Sequence, residues 1–144
     1  MEATFYQVEN LDSSSLAPLL FKILEQKKKV LIYCQNDELI KQLDNSLWSY
    51  GRNKFLPHIT IFDKNFDMIR QPIILSNQEL NSNNADYLIL LDLASEKFIQ
   101  NFSRIFCFYS NIESQKYLNF EQNLSKIKYN IQSYIKDGNK WIAR

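Results

Sequence analysis

Glycine is almost missing from this chain, with two in 144 residues. A glycine-rich phosphate loop is therefore excluded, because close approach of backbone to phosphate needs several glycines in one turn. A single histidine and two cysteines rule out a tetrahedral zinc site built mainly from those ligands. No apolar run approaches the roughly 20 residues that span a bilayer. The opening stretch, MEATFYQVEN, has no basic region followed by an apolar one, so no signal peptide is expected. Charge of one sign is also lacking. Seventeen Lys and Arg against sixteen Asp and Glu leave a net charge of +1, without the basic excess of a non-specific nucleic-acid coat.

What is present is core material. Apolar residues make up 45% and aromatics 14%, in a length that fits one α/β domain over residues 1–144. Cys34 and Cys107 sit in the apolar runs LIYC and IFCFY and read as buried free thiols. That suits a reducing cytosol, so a cytoplasmic protein with no membrane segment is expected.

The hydrophobic pattern alternates short apolar runs with helical spacings. Ala3–Val8, Val30–Cys34, Ile59–Phe62, Pro72–Leu75, Tyr87–Leu91 and Arg104–Tyr109 read as strands. Ser13–Ser15 offer N-cap hydroxyls to a helix carrying Leu16, Leu19, Leu20, Ile23 and Leu24 and ending in Lys27–Lys29. Asn36 or Asp37 caps a second helix with Leu39, Ile40, Leu43 and Leu47 inward. Ser95–Phe102 fits a short third helix. A last helix is expected over Ser114–Lys136, on the stripe Phe120, Leu124, Ile127, Ile131 and Ile135, with Gly138 as its C-cap. Near-continuous apolar strands between helices predict a mostly parallel sheet buried on both faces, in a three-layer Rossmann-like domain.

The usual catalytic sets are not assembled. The turn after the first strand, ENLDSSS, has no glycine, and its serines read as plain helix caps. No serine lies in a G-x-S-x-G elbow, and His58 reads as a packed or loop-capping residue. Asp92 lies at the carboxyl end of a central strand, where α/β sites form, but one carboxylate does not make a metal site. No catalytic residue, metal or cofactor is assigned. An enzyme binding a nucleotide or small ligand through Asp92 and the Ser13–Ser15 turn is the alternative reading.

Two surface patches carry more. At about 100° per residue, Trp48 falls some 180° from Leu39 and 140° from Leu43, so it should point away from the core. Phe55, Leu56 and Pro57 follow in the next loop. Trp48 and Phe55 then either fold under the loop or form an exposed aromatic patch for a partner protein. The C-terminal stretch has Lys116, Lys126, Lys128, Lys136, Lys140 and Arg144 interleaved with Tyr117, Tyr129, Tyr134 and Trp141. It reads as a solvated helix face, as a basic, aromatic pocket for an acidic peptide, or as a direct binder of single strands.

Several motifs carry a resemblance: ATFY at Ala3–Tyr6, KKVLIYCQND at Lys28–Asp37, LDNSLWSY at Leu43–Tyr50 and FLPH at Phe55–His58. Their order and spacing resemble the chi subunit of bacterial DNA polymerase III, whose pattern includes K-[RK]-V-L-[IV], then L-D-x-x-L-W, then F-[VIL]-P-H. The resemblance implies a Rossmann-like fold without nucleotide-binding activity. It implies an adaptor of the clamp loader that binds the psi subunit and the acidic C-terminal tail of single-stranded DNA-binding protein. Contact with nucleic acid would be mostly indirect. A repair helicase shares the psi-binding surface in some bacteria. Carried over by motif, Trp48, Phe55, Leu56 and Pro57 fall on the psi side. Counting back from Gly138 places Lys128 at the family's basic tail-binding position on the last helix. Ile131, Gln132 and Tyr109 fall at other pocket positions, with Tyr129 and Tyr134 as further aromatics and Lys126 and Lys136 as supporting charge.

Overall fold

The computed structural model describes residues 1–50, 56–63 and 66–144. Eight strands form one sheet: β1 Glu2–Val8, β2 Val30–Tyr33, β3 Ile59–Thr60, β4 Ile73–Ser76, β5 Tyr87–Leu90, β6 Arg104–Ser110, β7 Asn130–Asp137 and β8 Lys140–Ala143. Among the described residues four α-helices accompany them: α1 Ser13–Glu25, α2 Asp37–Trp48, α3 Glu96–Ile99 and α4 Ser114–Lys126. The strand order is β3-β4-β2-β5-β6-β1-β7-β8. Every neighbouring pair is parallel except β7 and β8, which form an antiparallel hairpin.

Strand alternation divides the core in two. Val30, Ile32, Ile73, Leu75, Ile89, Phe106 and Phe108 face α1 and α2, which bury Leu16, Leu20, Ile23, Ile40, Leu43 and Leu47 there. Leu31, Ile74, Leu88, Leu90, Ile105, Cys107 and Tyr109 face the other way, against Phe98, Ile99, Phe102, Tyr117 and Leu124. The four residues of β2 are buried on both faces, as a central parallel strand requires. The expected three-layer, mostly parallel architecture is therefore the observed one. Both cysteines are buried and free. No helix among the described residues is long and apolar enough to cross a membrane.

Three sequence expectations are corrected. The N-cap of α1 is Asp12, not a serine: its Oδ1 accepts from the Ser15 N–H at 3.0 Å and from both the Ser14 and Ser15 hydroxyls. Burial pushes the Asp12 carboxyl up, and these hydrogen bonds outweigh it, holding the group below the usual aspartate value. The strand β3 is trimmed to two residues, β4 keeps its length but is shifted by one residue, and α3 is reduced to one turn behind its Ser95 cap.

The third correction is the largest. The final helix stops at Lys126, and residues 130–143 turn into the β7–β8 hairpin. Tyr117, Phe120 and Leu124 do form the helical stripe. Ile131 and Ile135 continue it at a spacing of four, but four is also a multiple of the strand period of two. In β7 the same two residues lie on one face of a strand, and Ile131 still packs on the core. Tertiary demand decides the outcome. Parallel pairing of Glu2–Gln7 with Asn130–Ile135 covers the edge that β1 would otherwise expose. Gly138, at φ 61°, makes the hairpin turn instead of capping a helix.

Glycine scarcity shows in how helices end. In α1 the Lys28 N–H donates to Ile23 O and the Lys27 N–H to Leu24 O, the paired bonds of a Schellman motif. In α4 the Tyr129 N–H donates to Leu124 O and the Lys128 N–H to Ser125 O. The left-handed residue is a lysine in both, at φ 58° for Lys27 and 71° for Lys128, where glycine would be unstrained. Lys27→Gly should therefore raise unfolding stability by about 0.5–1 kcal/mol in urea denaturation. A loss of stability would contradict the strained-cap account.

Candidate protein-binding surfaces

The first surface grows from α2. Asn36 starts the helix, its Oδ1 accepting from the Glu38 and Leu39 N–H groups. With Ile40, Leu43 and Leu47 buried, Trp48 faces outward and is 51% exposed, as the helical arithmetic requires. It is held in place. Its Nε1 donates to Asp44 Oδ1 at 3.1 Å, one turn back, and its ring lies 4.4 Å from the ring of His58. His58 is buried. Its Nδ1 lies 2.6 Å from Leu56 O, and its Nε2 lies 3.0 Å from Asp44 Oδ1. His58 is thus a strut that ties the loop to α2, and its ring is not presented to solvent as a base.

Trp48, Pro57 and His58 line a cavity of about 240 Å³ together with Asp63 and Phe66. Phe66 is 53% exposed and was not singled out from the sequence; its only signal is an aromatic ring in an otherwise polar loop. Leu56, grouped by motif with the psi-side residues, is 1% exposed and belongs to the α1–α2 core. Its side chain supports this surface from beneath. Phe55 lies outside the described residues.

The second surface lies between α4 and β7, around a cavity of about 590 Å³. Of the residues placed at the tail pocket by resemblance, Ile131, Gln132 and Tyr134 line it, from a strand rather than a helix. Lys126 and Lys128 sit at the end of α4 and do not line it. Tyr109 and Tyr129 are core residues, Tyr109 stacking on Tyr117 at 4.8 Å. Lys136 belongs to the opposite sheet face, against Trp141. The cation in the cavity is Arg144, whose Nη2 lies 3.2 Å from Glu121 Oε1. The Ser133 hydroxyl also donates to Glu121. Arg144 belongs to the basic C-terminal stretch but not to the positions carried over by resemblance, because a helix through residue 136 leaves the last residues unpaired. The hairpin brings them back, with the Arg144 N–H donating to Ser133 O.

The residues of the enzyme alternative are occupied structurally. Asp92 Oδ2 accepts from the Gln35 N–H at 2.6 Å, fastening the loop after β2. Asp12 takes the Ser15 N–H at the start of α1, where an anion would bind. Burial pushes the Cys34 thiol up to about 12, aided by the nearby Asp92 carboxylate, so it carries little thiolate at neutral pH. Burial likewise pushes the Cys107 thiol up.

The fold and these surfaces define an α/β protein on a parallel sheet that lacks the glycine-rich turn of dinucleotide binders. Residues 1–119 match the family model described as DNA polymerase III chi subunit, HolC, and the chain belongs to that family. DNA polymerase III subunit chi of Pseudomonas aeruginosa is 29% identical over 105 residues, covering 70% of this chain and 71% of that protein. The probable chi subunit of Rickettsia prowazekii is 32% identical over 85 residues, 54% of this chain and 50% of that protein. The C-terminal domain of Saccharomyces cerevisiae Dbp5, solved with Gle1 and IP6, superposes with a TM-score of 0.57 at 10% identity. It covers 92% of this chain and 90% of that one, and the likeness is one of fold alone. The family match ends inside α4, so the hairpin lies beyond it.

Proposed function

We propose that this chain is a non-catalytic adaptor of the replisome, working in the cytoplasm. The observation that carries the reading is the family match over residues 1–119, in a family of accessory subunits of DNA polymerase III. Two separated surfaces give it a mechanism. The Trp48, Pro57 and Phe66 patch would anchor the psi subunit of the clamp loader by burying aromatic area. A repair helicase could compete for the same patch. The cavity between α4 and β7 would take the acidic C-terminal tail of single-stranded DNA-binding protein. Arg144 would meet a carboxylate there, and Ile131 and Tyr134 would hold the tail's final apolar side chain. Together the two contacts would link the clamp loader to coated template.

A labelled acidic peptide ending in Phe tests the tail site by fluorescence anisotropy. Weak binding that falls with added salt is expected, and deleting the final Phe should abolish it. Arg144→Glu should weaken it about tenfold or more, with a smaller effect from Lys128→Glu, which lies outside the cavity. Equal binding of the truncated peptide would overturn the pocket assignment.

A further inference from the structure

A third feature lies on the opposite sheet face, and of its aromatic residues only Tyr134 also borders the cavity between α4 and β7. Past α1, the face formed by β6, β1, β7 and β8 carries a row of aromatic rings. Tyr6 stands between Phe108 and Tyr134 in the ladder register. Its ring centroid is 4.7 Å from that of Phe108 and 5.7 Å from that of Tyr134, both stacked within about 20°. Trp141, from β8, reaches back to 4.9 Å from Tyr6 and crosses it at 62°. Lys136 places its Nζ 5.5 Å from the Trp141 ring. The indole is still 37% exposed.

Tyr6, Phe108 and Trp141 of this row form one wall of a cavity of about 610 Å³, and α1 forms the other with Pro18, Leu19 and Lys22. Tyr50, Ser14 and Asn139 complete its rim. The charged residues lining it are Lys22 and Lys136, with no carboxylate among the described residues of the lining. A ligand suited to it combines flat aromatic surface with negative charge. At one end a smaller pocket, which shares Lys136, continues past Ser14 and Ser15 to Glu9 and Asp12, so an anionic ligand would extend from Lys136 toward Lys22.

We propose that this cavity binds single-stranded nucleic acid, one base stacking against Trp141 and adjacent phosphates pairing with Lys22 and Lys136. The stacked rings of the wall favour this over an acidic peptide. Aromatic platforms flanked by cations are what unpaired bases need, because every base has a π face whatever its sequence. A duplex hides those faces. The near-zero net charge fits a local site of about one or two nucleotides in a pocket of this size, and not a coat. The inference goes beyond the adaptor reading and stands independently of it. Most of the site comes from the hairpin and α1, and Trp48 has no part in it.

The test uses the full chain carrying Trp48→Phe, which leaves Trp141 as its one indole. Indole fluorescence is followed during titration with short oligodeoxythymidine, with short oligouridine, and with the Phe-ended acidic peptide. Quenching by an oligonucleotide, weakening modestly with added salt as two phosphate contacts require, is expected. Quenching by both oligonucleotides assigns the shared base and phosphate chemistry, and quenching by one assigns that nucleic acid. Adding Lys22→Glu and Lys136→Glu should weaken binding about tenfold or more, with the far-ultraviolet circular dichroism unchanged. Quenching by the peptide with none from either oligonucleotide would overturn the proposal. So would an affinity that the two lysine changes leave intact.

Discussion

Tyr117→Ala is expected to lower unfolding stability by about 3–5 kcal/mol, the range for deleting a buried aromatic ring. Tyr117 is 1% exposed and stacks on Tyr109 with ring planes 6° apart, at the seam where α4 meets β6. The cavity left by so large a ring would be only partly refilled. Tyr117→Phe should behave oppositely. The Tyr117 hydroxyl is buried with no hydrogen-bond partner among the described residues, and burial pushes its pKa well above the usual tyrosine value. Removing it deletes a desolvated polar group and keeps the ring, so stability should hold or rise by up to about 1 kcal/mol. Urea denaturation followed by circular dichroism separates the two. A phenylalanine variant as unstable as the alanine one would show that the hydroxyl is bonded after all.

Trp48→Ala should have its large effect on binding instead. An exposed tryptophan beside Pro57 and Phe66 has the make-up of an interface hot spot, so affinity for the psi subunit should fall by about 2 kcal/mol or more, roughly thirtyfold. Stability should change by no more than about 1 kcal/mol, because the ring is half exposed and the contacts it makes with Asp44 and His58 lie at the surface edge of α2. Calorimetric titration with psi, alongside thermal denaturation, reads both quantities. An unchanged affinity would remove Trp48 from the interface. A collapse of both would assign it to the fold.

The parallel α/β sheet was legible because its signals are local. VLIY in β2 and YLIL in β5 are apolar runs too short for helices and too continuous for a half-exposed strand. The outward direction of Trp48 was legible for a similar reason, since helical geometry alone sets it once the buried face is known. The C-terminal hairpin was not. A spacing of four satisfies helix and strand alike at Ile127, Ile131 and Ile135, and only the open edge of β1 decides between them. That one ambiguity moved Ile131, Gln132 and Tyr134 from a helix face to a strand. It also concealed where Arg144 goes, since it reaches its cavity by pairing beside β7. The Asp12 cap was missed because three consecutive serines offer equally good caps, and the choice depends on where the chain leaves β1.

The adaptor account stands or falls on physical association with the polymerase machinery. Tagged wild-type chain and its Trp48→Ala variant should be used in parallel to capture partners from extract of the source cells, with the recovered proteins identified by mass spectrometry. The account predicts clamp-loader subunits of DNA polymerase III with the wild type and their loss with the variant. Wild-type chain that recovers no polymerase III subunit would contradict it.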